Sequence, residues 1–121
     1  MTQRNIVHIE IPAANSAKAG QFYKDLFGWE IKQDPGMNYT MWDAGNGGSS
    51  GGFNEVNEMF KPGDVLIYVN SDNIEADLKK AKSLGATILK DKEEIPETGW
   101  FGIFKDPTGN MIALYTSMHP H

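Results

Sequence analysis

An alternating strand, an amphipathic helix and three shorter extended runs follow one another twice within these 121 residues. The first cycle opens at Ile6 to Ile11, where I-V-H-I-E-I puts Val7, Ile9 and Ile11 on one face and Ile6, His8 and Glu10 on the other. Pro12 ends the strand, having no amide hydrogen to give to a ladder. Asn15 or Ser16 supplies an N-cap for a helix in which Ala19, Phe22, Tyr23 and Leu26 recur at helical spacing, and Gly28 occupies the left-handed position that stops it. Extended runs at Trp29 to Lys32, Tyr39 to Asp43 and Ser50 to Asn54 complete the cycle, separated by Asp34-Pro35-Gly36 and a glycine-rich stretch.

The second cycle starts with the strand Asp64 to Asn70, an Asp72/Asn73 cap, and a helix with Ile74, Leu78 and Ala81 inward that stops at Gly85. Strands at Thr87 to Leu89, Trp100 to Lys105 and Met111 to Thr116 follow, the last two joined by a turn at Asp106-Pro107-Thr108-Gly109-Asn110. A shift of about 57 residues lays strand on strand, helix on helix and Gly28 on Gly85, as a duplicated unit requires. One helix and four short strands cannot bury a core alone. The expectation is therefore one α+β domain over residues 1–121: a first βαβββ module at about 5–54, a linker at about 55–63 and a second module at about 64–117.

Composition narrows the function classes. A 40% hydrophobic and 11% aromatic content supports a packed core, which excludes a disordered chain. The net charge is −5 and the lysines are scattered, so neither nucleic acid nor an anionic membrane surface is an expected partner. The absence of cysteine removes disulfides, thiolate metal sites and a thiol nucleophile. Met1 to Asn5 leads straight into a strand too short for a signal-peptide core or a membrane span, and a cytoplasmic location is the expectation.

Three segments resemble a known family. F-Y-K-D-L-F-G-W at Phe22 to Trp29, G-G-F at Gly51 to Phe53 and F-K-D-P-T-G-N at Phe104 to Asn110 are similar, in order and spacing, to signature segments of the vicinal-oxygen-chelate superfamily of glyoxalases, bleomycin resistance proteins and extradiol dioxygenases. The resemblance covers nearly the whole chain. It implies that each βαβββ module forms half of a curved mixed sheet, with helices on the convex side and a ligand on the concave side. It also implies a homodimer, since members commonly pair. In that arrangement His8 and Glu10 line the pocket, as do Leu66 and Tyr68 on the fifth strand and Met111, Ala113 and Tyr115 on the eighth.

Metal-dependent relatives such as glyoxalase I hold one divalent ion with His, Glu or Gln from four strands, and the ion chelates substrate oxygens and stabilises an anion. Here His8 matches the first ligand position. The others fall near Gly52, on Leu66 and on Ala113, none of which has a donor side chain. A one-residue slip puts Val65 or Ile67, and Ile112 or Leu114, there instead. Glu10 with His8 makes two donors on one strand, a poor site by itself. Neither a metal nor another cofactor is expected.

The expected ligand-binding residues are His8, Trp42, Phe53, Leu66, Tyr68, Trp100, Met111, Ala113 and Tyr115, an aromatic wall with few polar tips. His8 and Glu10 are the candidate catalytic pair. An imidazole with a pKa near 6.5 can act as a general acid or base, though a pocket histidine can also serve as a hydrogen-bonding wall, and Glu10 can lie at a solvated rim. The run Gly45 to Gly52 lacks the G-K-[ST] of a phosphate cradle and reads as a hairpin connection or a lid. Lys90, Lys92, Glu93, Glu94 and Glu97 read as a solvated loop, and His119-Pro120-His121 as an adventitious metal binder. The function expected first is a metal-independent small-molecule binder. A lyase, isomerase or dioxygenase-like enzyme using His8 and Glu10 is the alternative, and a regulatory or protein-interaction domain with a vestigial pocket is a third reading.

Overall fold

A computed structural model describes residues 4–34, 36 and 38–119. Met1, Pro35, Pro120 and His121, named above, lie outside the described residues. The chain divides into two compact units, one comprising His8–Leu66 and the other the described residues before His8 together with those from Ile67 onward. The class is α+β, and each unit carries the expected strand, helix and three strands.

The first set is β1 (Ile6–Glu10), α1 (Ser16–Phe27), β2 (Glu30–Asp34), β3 (Tyr39–Asp43) and β4 (Ser50–Phe53). Its strands lie in the order β2-β3-β4-β1, with β1 parallel to β4 and the other pairs antiparallel. A parallel pair needs a crossover, which α1, β2 and β3 together provide. Of the two candidate caps, Asn15 caps α1, its side chain accepting from the Lys18 N–H at 3.0 Å. Gly28 ends the helix at φ 75°, a conformation that costs glycine little.

The face that α1 buries differs from the expected one. Phe22 and Leu26 are 57% and 58% exposed, so the inward stripe is not Ala19, Phe22, Tyr23 and Leu26. The helix instead approaches the sheet through buried Gly20, where a Cβ would come within 3.0 Å of Ile31 Cγ2. That close approach turns Tyr23 onto Trp29 and Phe53, with ring centroids 5.1 Å and 5.9 Å away, and leaves the neighbouring stripe outside. A periodicity of apolar residues cannot reveal this, because glycine carries no hydrophobic signal.

The second set is β5 (Leu66–Asn70), α2 (Ile74–Ser83), β6 (Thr87–Ile95), β7 (Gly99–Lys105) and β8 (Met111–Ser117), in the order β5-β8-β7-β6 with β5 parallel to β8. Asn73 caps α2 by accepting from the Ala76 N–H at 3.0 Å. Ile74 and Leu78 point inward as expected, 1% and 5% exposed, and each such side chain contributes about 1.5–3 kcal/mol by leaving water. They meet the sheet at Gly102, where a Cβ would lie 3.1 Å from both. Arg4 forks onto Asp77 of α2, and Asn5 O accepts from the Asn70 N–H at 2.9 Å, which ties the first described residues to this unit.

β6 corrects a second expectation. Lys90 to Glu94 are strand, not loop: Lys90 pairs with Ile103, Glu93 with Phe101 and Glu94 with Trp100, across two register shifts. β6 ends the strand order of its unit, and a charged, irregular strand there resists further pairing. Charge alone therefore misreads an edge strand as loop. Between β3 and β4, Asn46 and Gly47 have positive φ, and Ala44 N–H donates to Ser49 O at 2.9 Å, so the glycine-rich stretch closes a hairpin. No helix among the described residues is long and apolar enough to cross a membrane.

Candidate functional site

Side chains alternate along β3, and the α1 side of that alternation is fixed by two contacts. The Thr40 hydroxyl lies 3.1 Å from Ser16 Oγ, and Trp42 stacks on Trp29 at 4.2 Å between ring centroids. Tyr39 and Met41 therefore point away from α1. From that face the Tyr39 ring reaches across β4 at Gly52 to β1. Its hydroxyl donates to Glu10 Oε2 at 2.6 Å, a short charge-assisted bond, and lies 2.9 Å from His8 Nε2.

Gly52 is what makes the crossing feasible. A Cβ at this position would overlap Tyr39 Oη and Cζ. The phenol has a single proton, and with that proton donated to Glu10 Oε2 the remaining bond requires His8 Nε2–H to donate to Oη. The chain of donors runs from His8 through Tyr39 to Glu10. Burial holds the His8 imidazole below its usual pKa, opposed by the smaller effect of the Glu10 charge, so His8 is neutral at pH 7. Such a chain can present hydrogen-bond groups to a ligand, and it can pass a proton between a ring nitrogen and a carboxylate by way of the phenol.

The expected site residues divide between two environments. His8 and Glu10 come together as the sequence implies. Trp42 and Phe53, expected against a ligand, are 3% and 4% exposed in the α1 core with Trp29 and Tyr23. Trp100, expected there too, packs on the α2 side against the cluster of Ile74, Leu78 and Leu114. The reason is strand parity: all three occupy positions that point toward a helix. In the second unit Tyr68, Met111, Ala113 and Tyr115 share the face opposite α2, since Tyr68 and Ile103 pair with Ala113 and Lys105 pairs with Met111. Leu66, at the start of β5, is 1% exposed. The Tyr115 hydroxyl donates to Thr98 O at 3.2 Å.

Two residues were missed. Tyr39 carries the polar cluster, and Phe101 shares the Tyr115 face through their pairing. Both were within reach of the sequence. In Y-T-M-W-D the alternation separates Tyr39 from Trp42, and in G-W-F-G it separates Phe101 from Trp100. Strand parity, more than aromatic size, decides the face.

The residues do not fit a divalent ion of the kind that metal-dependent relatives hold. His8 Nε2 and Glu10 Oε2 are both bonded to the phenol, and the Tyr39 ring fills the space of a side chain at position 52. Leu66 and Ala113, where the resemblance places the other ligands, are apolar and 1% and 0% exposed. Among the described residues no three His, Cys, Asp or Glu side chains gather in a way that could hold a metal. His119, exposed, lies with Nε2 3.0 Å from Glu97 O.

A family model described as the Glyoxalase/Bleomycin resistance protein/Dioxygenase superfamily matches residues 5–114. The chain belongs to this superfamily. A glyoxylase-like domain-containing protein of Didymella fabae is 29% identical over 116 residues, covering 89% of this chain and 90% of its own. Among solved structures, a hypothetical protein of Bacillus halodurans C-125 superposes with a TM-score of 0.72 at 14% identity over 99% of both chains. A Streptomyces coelicolor methylmalonyl-CoA epimerase in complex with 2-nitronate-propionyl-CoA gives 0.68 at 19% identity over 98% of this chain and 100% of its own. At such identities the superfamily fold is shared, and function has to be argued from the side chains.

Proposed function

We propose that this superfamily member binds a small organic molecule on the sheet face opposite α1, at the His8–Tyr39–Glu10 cluster, without a divalent ion. The observation that carries this reading is the Tyr39 hydroxyl bonded at once to Glu10 and His8, which turns two candidate metal donors into one hydrogen-bonded unit. A thermal-shift screen of purified protein in EDTA, against antibiotics, aromatic metabolites and thiol adducts of α-ketoaldehydes, tests it. A ligand at a hundred times its Kd adds about 2.7 kcal/mol, which raises Tm by roughly 10 °C in a chain of this size. The expected result is a hit whose shift persists in EDTA and shrinks in Tyr39→Ala. No hit, or a shift that needs added divalent ions, overturns it.

A second reading is favoured by the 2.6 Å bond between Tyr39 and Glu10. A phenol so placed can relay a proton between a bound substrate and Glu10, as a lyase or isomerase of this superfamily would need in the absence of a metal. Under this reading Tyr39→Phe retains ligand binding and loses turnover. Equal turnover in Tyr39→Phe and wild type would discard it.

A further inference from the structure

Two of the superfamily's metal positions, His8 and 52, meet the Tyr39 crossing at one place. Three positions converge on the end of a single side chain: His8 Nε2 at 2.9 Å from Tyr39 Oη, Glu10 Oε2 at 2.6 Å, and position 52, where any Cβ would overlap Oη and Cζ. Each bond engages an atom that could ligate a cation, and the ring occupies the volume of a donor side chain on β4.

We infer that Tyr39 is a built-in substitute for the fourth-strand donor and its ion, and that Tyr39 and Gly52 act as a pair that closes this site to divalent metal. The inference rests on the His8 face being the binding face. It adds that the site is shut by an identifiable side chain, so that reversing the pair reopens it. An ion bound to His8 Nε2 would lie about 2.0–2.1 Å from that nitrogen, inside the space that the hydroxyl at 2.9 Å now guards. What the phenol presents instead is one hydroxyl held between a neutral imidazole and a carboxylate. It is a hydrogen-bonding group, whereas an ion would chelate two oxygens. Ligand selection on this face thus becomes a matter of hydrogen bonding and shape.

Cobalt(II) is the probe, because a tetrahedral or five-coordinate protein site gives it an intense visible spectrum. Wild-type protein titrated with cobalt is expected to show no such spectrum. Tyr39→Ala takes the phenol off two donors and binds weakly. Tyr39→Ala/Gly52→Glu supplies a third donor in the vacated space and should bind at least about tenfold more tightly than Tyr39→Ala, with His8→Ala in that background abolishing the spectrum. Circular dichroism verifies folding, and Tyr39→Ala/Gly52→His supplies an alternative third donor should the glutamate variant not fold.

A stoichiometric, His8-dependent cobalt spectrum in wild type overturns the inference. Folded double variants that bind no more tightly than Tyr39→Ala also overturn it. The two proposals fail separately: metal-free ligand binding together with inert double variants sinks only this one, while ligand binding that depends on metal in wild type sinks both.

Discussion

In the first unit Glu10 lies beside Gly52 across a parallel strand pair, and in the second Tyr68 lies beside Ala113 in the equivalent pair. The backbone plan is the same, down to an asparagine cap on each helix at Asn15 and Asn73. The chemistry is not. The β4 glycine admits a tyrosine from β3 and brings three polar groups together, whereas the β8 alanine is 0% exposed on a face shared with Ile103 and Tyr115. The helices differ too: α1 exposes Phe22, Leu26 and Phe27, while exposed positions on α2 include Glu75, Lys79, Lys80 and Lys82. A repeated fold fixes where side chains can go, and single small residues then decide which half carries a polar site.

The largest effect that would sharpen this comparison comes from the two adjacent glycines of β4. A Cβ at Gly51 would run into the carbonyl of Ile9, which is backbone and cannot step aside, whereas at Gly52 its nearest contacts are with the movable end of Tyr39. Gly51→Ala should cost more than about 4 kcal/mol or prevent folding, and Gly52→Ala about 1–3 kcal/mol, as read from urea midpoints. Equal costs would show that the second glycine is not there for the tyrosine.

The helix contrast predicts the next effect. Ile74→Ala in α2 should cost about 2–5 kcal/mol, because the side chain is 1% exposed. Phe22→Ala in α1 should change stability by less than about 0.5 kcal/mol, because its side chain is 57% exposed. A large loss at Phe22 would mean that the outer face of α1 is covered in solution.

The smallest effect concerns pH. His8 has a folded pKa below the unfolded value of 6.5, so the unfolded chain binds more protons between the two. The contribution of a neutral His8 to stability is complete above pH 6.5 and declines as pH falls from there toward the folded pKa. Urea midpoints for wild type should drop from pH 7.5 to 5.5 more than those of His8→Gln. Parallel pH profiles would contradict a buried, neutral imidazole.

The elements of the fold were legible because alternation, caps and turn glycines act locally. Asn15, Asn73, Gly28 and Gly109 each do their work within a few residues of themselves. The site was half legible. His8 and Glu10 fall on one face of β1 by parity alone, but Tyr39 reaches them from two strands away, and only the sheet order β3-β4-β1 shows that its path runs over Gly52. The inward face of α1 is hidden from the sequence for a similar reason: Gly20 sets the approach by having nothing on it. β6 reads short in the sequence because Lys90 to Glu94 look solvated; Asp91 to Glu94 are exposed, and the backbone of this run still pairs with β7.

The tyrosine and the glycine either share one space or they do not, and a double-mutant cycle between Gly52→Ala and Tyr39→Ala measures this. If the ring fills the place of a β4 side chain, Gly52→Ala is costly in wild type and nearly free once the ring is gone, giving a coupling of about 1–3 kcal/mol. A cost for Gly52→Ala that is unchanged in the Tyr39→Ala background would contradict the account.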